Sequence, residues 1–292
     1  MLTAFFAGCK DRNNFKNINT FCTKVGAPEG AFDYLCLCME IKPVAHIRSP
    51  FPEKFGVPRQ SGLAPECPAQ VVFEKEFALP DAVRGLEGFS HIWLIWGFSA
   101  APWDGNFTVR PPRLGGNRRI GVFASRSPFR PNSLAMSAVK LVSIEMTSDR
   151  GPLLHVSGAD LLDGTPIYDI KPYIPYADCI PEATDGYTAP TKSHRLQVEF
   201  APGVLEASAV SETGSAAHGA GSEAFAVSET GLPAHGEGID SDTLSQIEQL
   251  LSLDPRVSYD TDPDKIWGMA YGLYNVRFKV AGDVATVVEI SY

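Results

Sequence analysis

From Glu40 onward the apolar and polar positions group into short strand-like runs separated by turn residues. Val71–Phe77 mixes apolar and charged side chains as a half-buried strand does. Phe89–Phe98 is dense in aromatic and β-branched residues and predicts a central strand. Ile41–Arg48, Ile120–Ala124, Ser137–Ile144 and Leu153–Gly158 read as further strands, and Asp81–Glu87 as one helical turn. Asp169–Tyr176 is extended and proline-locked. Short strands between Gly/Pro turns, with no strand–helix alternation, predict a mainly β fold whose core is a closed or nearly closed barrel. Neither G-x-G-x-x-G nor G-x-x-x-x-G-K-[ST] occurs, which argues against a Rossmann or P-loop module.

A helical period appears only late. Asp240–Leu253 starts with acidic and hydroxyl residues, places Leu244, Ile247, Leu250 and Leu251 on one face, and is stopped by Asp254-Pro255. Tyr271–Val280 and Val284–Ile290 flank Ala-Gly-Asp, a hairpin signal. The expected organisation is therefore an extension over 1–38, a barrel domain over 39–200, a flexible linker over 201–240 and a small α+β C-terminal domain over 241–292. The linker carries a duplication: Ala209–Gly219 recurs as Ala226–Gly236. Two copies rich in Ser, Gly, Ala and Glu cannot bury a core. His218 and His235 at equivalent repeat positions read as by-products of duplication, not as a metal pair. The extension differs in character from the rest, and Met39 is the expected start.

Charge changes this picture. The net charge is −9. Residues 201–264 hold twelve carboxylates against one arginine, so the acidity is local and the rest of the chain is mildly basic. The basic centre is Arg110–Ser137, with six arginines and no carboxylate, punctuated by prolines and glycines. Fixed turns, close backbone approach and permanent positive charge suit a rigid loop that grips anions; the alternative is a solvated basic loop. The longest apolar-rich run, Phe89–Pro102, is too short and too polar for a membrane span. None of the six cysteines forms a C-x-x-C pair, so no zinc or other metal site is expected, and a reducing cytoplasm is the expected compartment. Asp160-Leu-Leu-Asp163-Gly164-Thr-Pro166 places two carboxylates at the rim of a turn. They could clasp a ribose diol or a cationic ligand, or simply form an Asx-type turn. His91 is a satisfied core histidine or a base.

Seven ordered motifs over residues 40–176 resemble the TrmO (TsaA/YaeB-like) tRNA adenine-N6 methyltransferases. They are His46–Phe51, Phe55–Gln60, Arg84–Trp93, Val109–Asn117, Gly121–Asn132, Asp160–Pro166 and Asp169–Tyr173. Asp254–Arg256 and Tyr274–Arg277 are similar to the family's small C-terminal unit. The resemblance implies a β-barrel that binds S-adenosyl-L-methionine, a homodimer, and methylation of a threonylcarbamoyl-adenosine beside the anticodon of threonine tRNA. It implies cofactor contacts at Arg59, Gln60, Ser61, Gly62, Phe98, Ser99, Arg126, Arg130, Asn132, Ala138, Leu161, Leu162, Asp163 and Gly164. Arg110, Arg113, Arg118 and Arg119 are then left for RNA. No base is singled out; Asp163 and His91 are the candidates. This chain departs from the family at Ser133-Leu134-Ala135, where members often read Pro-Ile-Gly, and at Ser99, where many place a histidine. The rival readings are an RNA-binding module without chemistry and a methyltransferase acting on a small molecule.

Overall fold

The computed structural model describes residues 41–99, 103–111, 118–191, 194–205, 239–257 and 262–292. The 1–38 extension, the duplicated segment and Arg113 lie outside the described residues. The first part of the chain forms strands β1 (Ala45–Arg48), β2 (Pro68–Phe73), β3 (His91–Gly97), β4 (Thr108–Val109), β5 (Ile120–Gly121), β6 (Leu134–Thr147), β7 (Gly151–Ser157) and β8 (Pro166–Pro172). Six of them close into a barrel in the order β1-β2-β7-β6-β3-β8, and every neighbouring pair is antiparallel. Strand alternation supplies the core: Ala45, Ile47, Val71, Ile92, Leu94, Trp96, Val139, Leu154, Val156 and Ile167 all point inward and are buried.

Antiparallel closure has a direct consequence for where chemistry can sit. The C-terminal ends of β1, β3 and β7 share one rim with the N-terminal ends of β2, β6 and β8. The connections 49–67, 98–133 and 158–165 therefore all emerge at that rim. The last of them runs from β7 to β8, which are not neighbours in the barrel, so it crosses the mouth. The opposite rim carries the tight β6–β7 turn and the 74–90 connection, which contains 3-10 turns at Pro80–Val83 and Leu86–Gly88.

Three expectations are corrected within this part. The strand expected over Val71–Phe77 ends at Phe73, and the charged residues after it form a turn closed by the Phe77 amide on Glu74 O at 2.8 Å. Ile120–Ala124 is a strand only over Ile120–Gly121; Val122–Ala124 coils into a 3-10 turn. Among the described residues the short strand pairs with β4 alone, in a two-stranded sheet. His91 is not a core histidine. It is the first residue of β3, exposed, with its Nδ1 2.9 Å from Ser90 Oγ and its ring against Tyr173.

After a single-turn helix α1 (Pro175–Asp178) the chain enters a second unit. It comprises β9 (Gln197–Phe200), helix α2 (Ser241–Ser252), β10 (Trp267–Tyr271), β11 (Tyr274–Ala281) and β12 (Val284–Ser291). Its sheet order is β10-β11-β12-β9, with β9 parallel to β12. The sheet thus recruits a strand from before the expected boundary at 200. Asp240 caps α2, its Oδ1 accepting from the Thr243 amide at 2.6 Å. The core of this unit joins Ile247, Leu250 and Leu251 to Met269, Val276, Phe278 and Val287. It also takes Phe51, Ala64 and Cys67 from the 49–67 connection of the barrel. One apolar cluster therefore fastens the C-terminal unit to the loop-bearing rim.

Candidate active site at the loop-bearing rim

The three rim connections are stitched to one another by main-chain and short side-chain hydrogen bonds. Gly164 N–H donates to Ile47 O (2.9 Å), and Ile47 N–H to Thr165 O (3.1 Å). Ser49 donates through its hydroxyl to Leu161 O (2.8 Å) and through its amide to Asp163 Oδ1 (3.0 Å). These bonds hold the 158–165 crossing flat against β1, with Leu161 fully buried as the plug of the barrel mouth. Gly62 N–H donates to Gly158 O (2.8 Å), which ties the 59–62 loop to the same crossing. On the third connection, Arg130 Nη1 donates to Ser125 O (3.2 Å) and Ser133 N–H to Arg130 O (3.2 Å). Ser133 takes a φ of 45°, and its carbonyl receives the Phe98 amide at 2.8 Å, which closes the loop at its base. A side-chain hydrogen bond from Arg126 Nη1 to Gln60 Oε1 then links the 125–132 loop to the 59–62 loop.

At the centre of these loops lies a polar chain reaching into the barrel. Trp96 Nε1–H donates to Ser137 Oγ at 2.9 Å, and Ser137 Oγ–H donates to Asp160 Oδ1 at 2.5 Å. Trp96 and Ser137 are buried. Burial pushes the Asp160 carboxyl above the usual carboxylate range, against the opposing effects of the Ser137 hydroxyl, its own amide, the Arg126 guanidinium and the Ser61 amide. A carboxylate, a guanidinium, an indole and convergent backbone amides thus meet at one end of a rigid barrel. Such a set suits a small charged ligand with an aromatic or sugar moiety.

The structure brings Gln60, Ser61, Gly62, Arg126 and Leu161–Gly164 together at this rim. Phe98 adjoins them, half-buried and packed edge-on against Trp96 at 4.6 Å. Ser99 and Asn132 are exposed on the same connection. Three expected residues are placed elsewhere. The Arg59 guanidinium turns away from the loop cluster and donates to the carbonyls of Asp254 (2.9 Å) and Arg256 (2.6 Å), so it anchors the C-terminal unit. Ala138 lies opposite Trp93 on the outer face of β6; its neighbour Ser137 is the residue that reaches Asp160. A period of two means that one residue of offset reverses the face. His91 stands at the start of β3, at the rim opposite the loops, which removes it from the site as a base. Asp163 stays at the site, exposed, with Oδ1 already accepting from Ser49.

Arg110, Arg118 and Arg119 flank the β4–β5 pair on the 98–133 connection and are exposed, with Arg119 Nη1 donating to Thr108 Oγ1 at 3.0 Å. The residues that sequence reasoning left out are Ser137 and Trp96. The parity of the flanking buried positions Leu94 and Val139 would have placed both inward.

Two family models match the chain: the tRNA-methyltransferase O N-terminal domain over residues 46–179 and the TrmO C-terminal domain over residues 230–292. The chain is 44% identical over 162 residues to the tRNA (adenine(37)-N6)-methyltransferase of Escherichia coli K12, covering 55% of this chain and 68% of that one. It is 38% identical over 205 residues to the enzyme of the same name from Eikenella corrodens, covering 69% of this chain and 97% of that one. A crystal structure of TrmO from Pseudomonas aeruginosa superposes with a TM-score of 0.65 at 29% identity, covering 89% of this chain and 99% of the other. The motifs, the closed barrel with its loop-bearing rim, the appended C-terminal unit and these matches agree: the chain belongs to the TrmO family of tRNA methyltransferases.

Proposed function

We propose that this chain transfers the methyl group of S-adenosyl-L-methionine to N6 of an adenosine beside the anticodon of tRNA. The observation that carries the reading is the convergence of Gln60, Ser61, Arg126 and the Asp160–Gly164 crossing at a single rim of the barrel. S-adenosyl-L-methionine supplies an activated methyl on a sulfonium, and the donor set fits it: Arg126 for a carboxylate, Asp160 for cationic charge, and an apolar floor at Leu161. Transfer forms the N6–methyl carbon bond as the carbon–sulfur bond breaks, leaving a neutral thioether and releasing one N6 proton. The protein's part is alignment of the nucleophile at about 3–3.5 Å from the methyl, which rigid loops provide. Asp163 is the remaining candidate to receive the proton, its carboxylate oriented by Ser49.

The acceptor we assign is threonylcarbamoyl-adenosine in threonine tRNA, whose carboxylate the rim arginines can take bidentately. We assign the phosphate contacts to the exposed arginines around β4–β5, which lie on one of the rim connections. Exposed Phe123 and Phe129 on the same connection offer faces for an unstacked base. A homodimer is part of the proposal: Leu134, Met136, Val142 and Met146 leave an exposed apolar row along β6 that a second copy would cover. A reducing cytoplasm is the compartment we assign, in keeping with a tRNA substrate. No helix among the described residues is long and apolar enough to cross a membrane, and no group of three or more His, Cys, Asp or Glu could hold a metal ion among those residues.

The test is a transfer assay with methyl-labelled S-adenosyl-L-methionine and bulk tRNA, followed by nucleoside mass spectrometry. The expected product is N6-methyl-threonylcarbamoyl-adenosine. Absence of label from tRNA, or label on another nucleoside, refutes the assignment. Sedimentation of the purified chain as a monomer at micromolar concentration would refute the dimer.

A further inference from the structure

The turn before β4 holds two aromatic rings in a rigid frame and leaves one of them largely in water. Trp103 Nε1–H donates to Asn106 O at 2.8 Å. Asp104 accepts from the Asn106 amide at 3.0 Å and from its Nδ2 at 2.6 Å, bonds that hold the carboxyl below the usual carboxylate range. Gly105, at a φ of +86°, supplies the left-handed step. On this closed turn Phe107 makes a T-shaped contact with Trp103, centroids 5.3 Å apart, yet stays 63% exposed. The Val122 amide donates to Phe107 O at 3.0 Å, which fastens the turn to the end of β5, where Phe123 is 76% exposed. Isolated exposed apolar side chains are common. Here two large rings are brought together by a hydrogen-bonded ribbon, on a connection with six arginines and a single carboxylate. Both oxygens of that carboxylate are engaged by Asn106. Rings fixed in place and set among guanidinium groups suit the π-face of a base in single-stranded RNA. A second copy docked here by two-fold symmetry would set arginines against arginines.

We propose that Phe107, with Trp103 behind it and Phe123 beside it, is a stacking wedge for a nucleotide that flanks the acceptor adenosine in the anticodon loop. This rests on the tRNA reading given above. An adenosine stacked between two bases has to leave the stack before an enzyme can surround its reacting atom. An aromatic side chain that takes over the neighbour's stacking offsets that loss and keeps the gap open. The chain itself sets the reach. Phe123 and Arg126 are three residues apart, hence at most about 11 Å between Cα atoms, and Arg126 is bonded to Gln60 of the 59–62 loop. At about 3.4 Å per stacked nucleotide, that span covers the immediate neighbours of an adenosine held at the rim. Trp103 and Asn106 are positioning residues that act through Phe107. The arginines supply attraction that is blind to sequence, and the wedge fixes the register of the RNA loop.

The experiment uses the full chain and an anticodon stem-loop RNA with threonylcarbamoyl-adenosine at the acceptor position. The RNA is made intact, and abasic at the nucleotide on the 5′ or the 3′ side of the acceptor. Affinities are read by filter binding at several salt concentrations. Phe107→Ala should weaken binding of the intact RNA about tenfold, within the range that base–aromatic stacks show on alanine substitution. Phe107→Trp should stay within twofold of the unsubstituted protein. One of the two abasic RNAs should bind the unsubstituted protein about tenfold more weakly than the intact RNA, and Phe107→Ala should weaken that RNA by less than twofold further. The salt slope should not change, because no phosphate contact is lost. Affinity for S-adenosylhomocysteine, the demethylated product of the cofactor, should stay within twofold in both variants; a loss matching that for RNA places the ring in the cofactor pocket and overturns the wedge. A loss of less than twofold for Phe107→Ala on intact RNA, or an equal loss on the intact and both abasic RNAs, overturns the wedge and leaves the tRNA reading in place. A Phe107→Ala chain that sediments as a smaller species than the unsubstituted one assigns the ring to a second copy and overturns the wedge as well. An unsubstituted protein that binds none of these RNAs overturns the tRNA reading, and the wedge with it.

Discussion

Two carboxylates show how differently one side-chain type behaves at this rim and next to it. Asp160 is held above the ordinary carboxylate range, chiefly by burial. As pH rises, the unfolded chain therefore ionises at this position before the folded chain does. Its contribution to stability is fully present below the ordinary value and is lost as pH rises through the raised one. At neutral pH the ligand-free Asp160→Asn variant should melt no lower than the unsubstituted protein, and calorimetry should show a smaller gain in Tm on adding S-adenosylhomocysteine. A drop of several degrees without ligand would mean that the carboxylate is structural. Asp254 is the reverse case. Burial alone would raise it, but hydrogen bonds and charge from Arg256, with His194 adding to them, bring it below the ordinary value. Arg256 Nε and Nη2 grip its two oxygens at 2.8 and 3.1 Å. The stability it supplies is present above the ordinary carboxylate range and is lost as pH falls through its lowered value. Asp254→Asn should cost about 2 kcal/mol at neutral pH and flatten the acid limb of a urea-denaturation series below about pH 4. An acid limb of unchanged slope would show that Asp254 does not carry it.

The decisive elements are the connections, because each strand end only delivers a loop to the rim. The 49–67 connection serves two cores at once. Ser49 organises the crossing beside the site, while Phe51 and Cys67 are buried against the C-terminal unit. Burial pushes the Cys67 thiol up to about 12, which makes it a packing group and not a nucleophile. Gly56 marks the closest approach. Its φ is +93°, and a Cβ there would lie 2.5 Å from Met269 Cγ and 2.6 Å from its sulfur. Met269 is fully buried and has little space to withdraw. Gly56→Ala should therefore destabilise the protein by about 2 kcal/mol, from left-handed backbone strain and overpacking together. Urea denaturation reads the value, and a change within 0.5 kcal/mol either way would show that β10 yields easily.

At the scale of the whole molecule, the barrel supplies rigidity and the C-terminal unit braces the loop that carries Gln60 and Ser61. Arg59 makes that brace explicit, reaching from the loop to the Asp254–Arg256 turn. On the proposed function, the exposed arginines of the β4–β5 pair dock RNA while the 59–62 and 125–132 loops hold the cofactor. Arg118 and Arg119 immediately precede β5 and are exposed, with Arg119 bonded to Thr108. Replacing both with Gln should weaken tRNA binding, reduce the dependence of log Kd on log salt by about one to two, and leave affinity for S-adenosylhomocysteine within twofold. Filter binding from low to moderate salt checks the slope. An unchanged slope would place the phosphate contacts elsewhere.

Much of this molecule is determined locally and so is legible in the chain. The aromatic and β-branched density of Phe89–Phe98, the strand pattern of Leu153–Gly158, the Asp240 cap, the Asp254-Pro255 stop and the Ala-Gly-Asp hairpin depend on neighbours a few residues apart, and the corresponding elements form. The ordered motifs likewise mark Gln60, Ser61, Arg126 and Leu161–Gly164, which the fold collects at one rim. What only the tertiary structure decided depends on closure and register. Whether His91 and Asp163 share a rim depends on which end of β3 faces the loops, and antiparallel closure puts them at opposite ends. Whether Ser137 or Ala138 reaches the site depends on the phase of β6, which its pairing with β3 sets. Arg59 turns from cofactor to brace because a carbonyl pair 195 and 197 residues away in the chain comes within hydrogen-bonding distance. A composition or a motif carries the kind of residue; the direction of its side chain is a property of the closed barrel and of the unit packed against it.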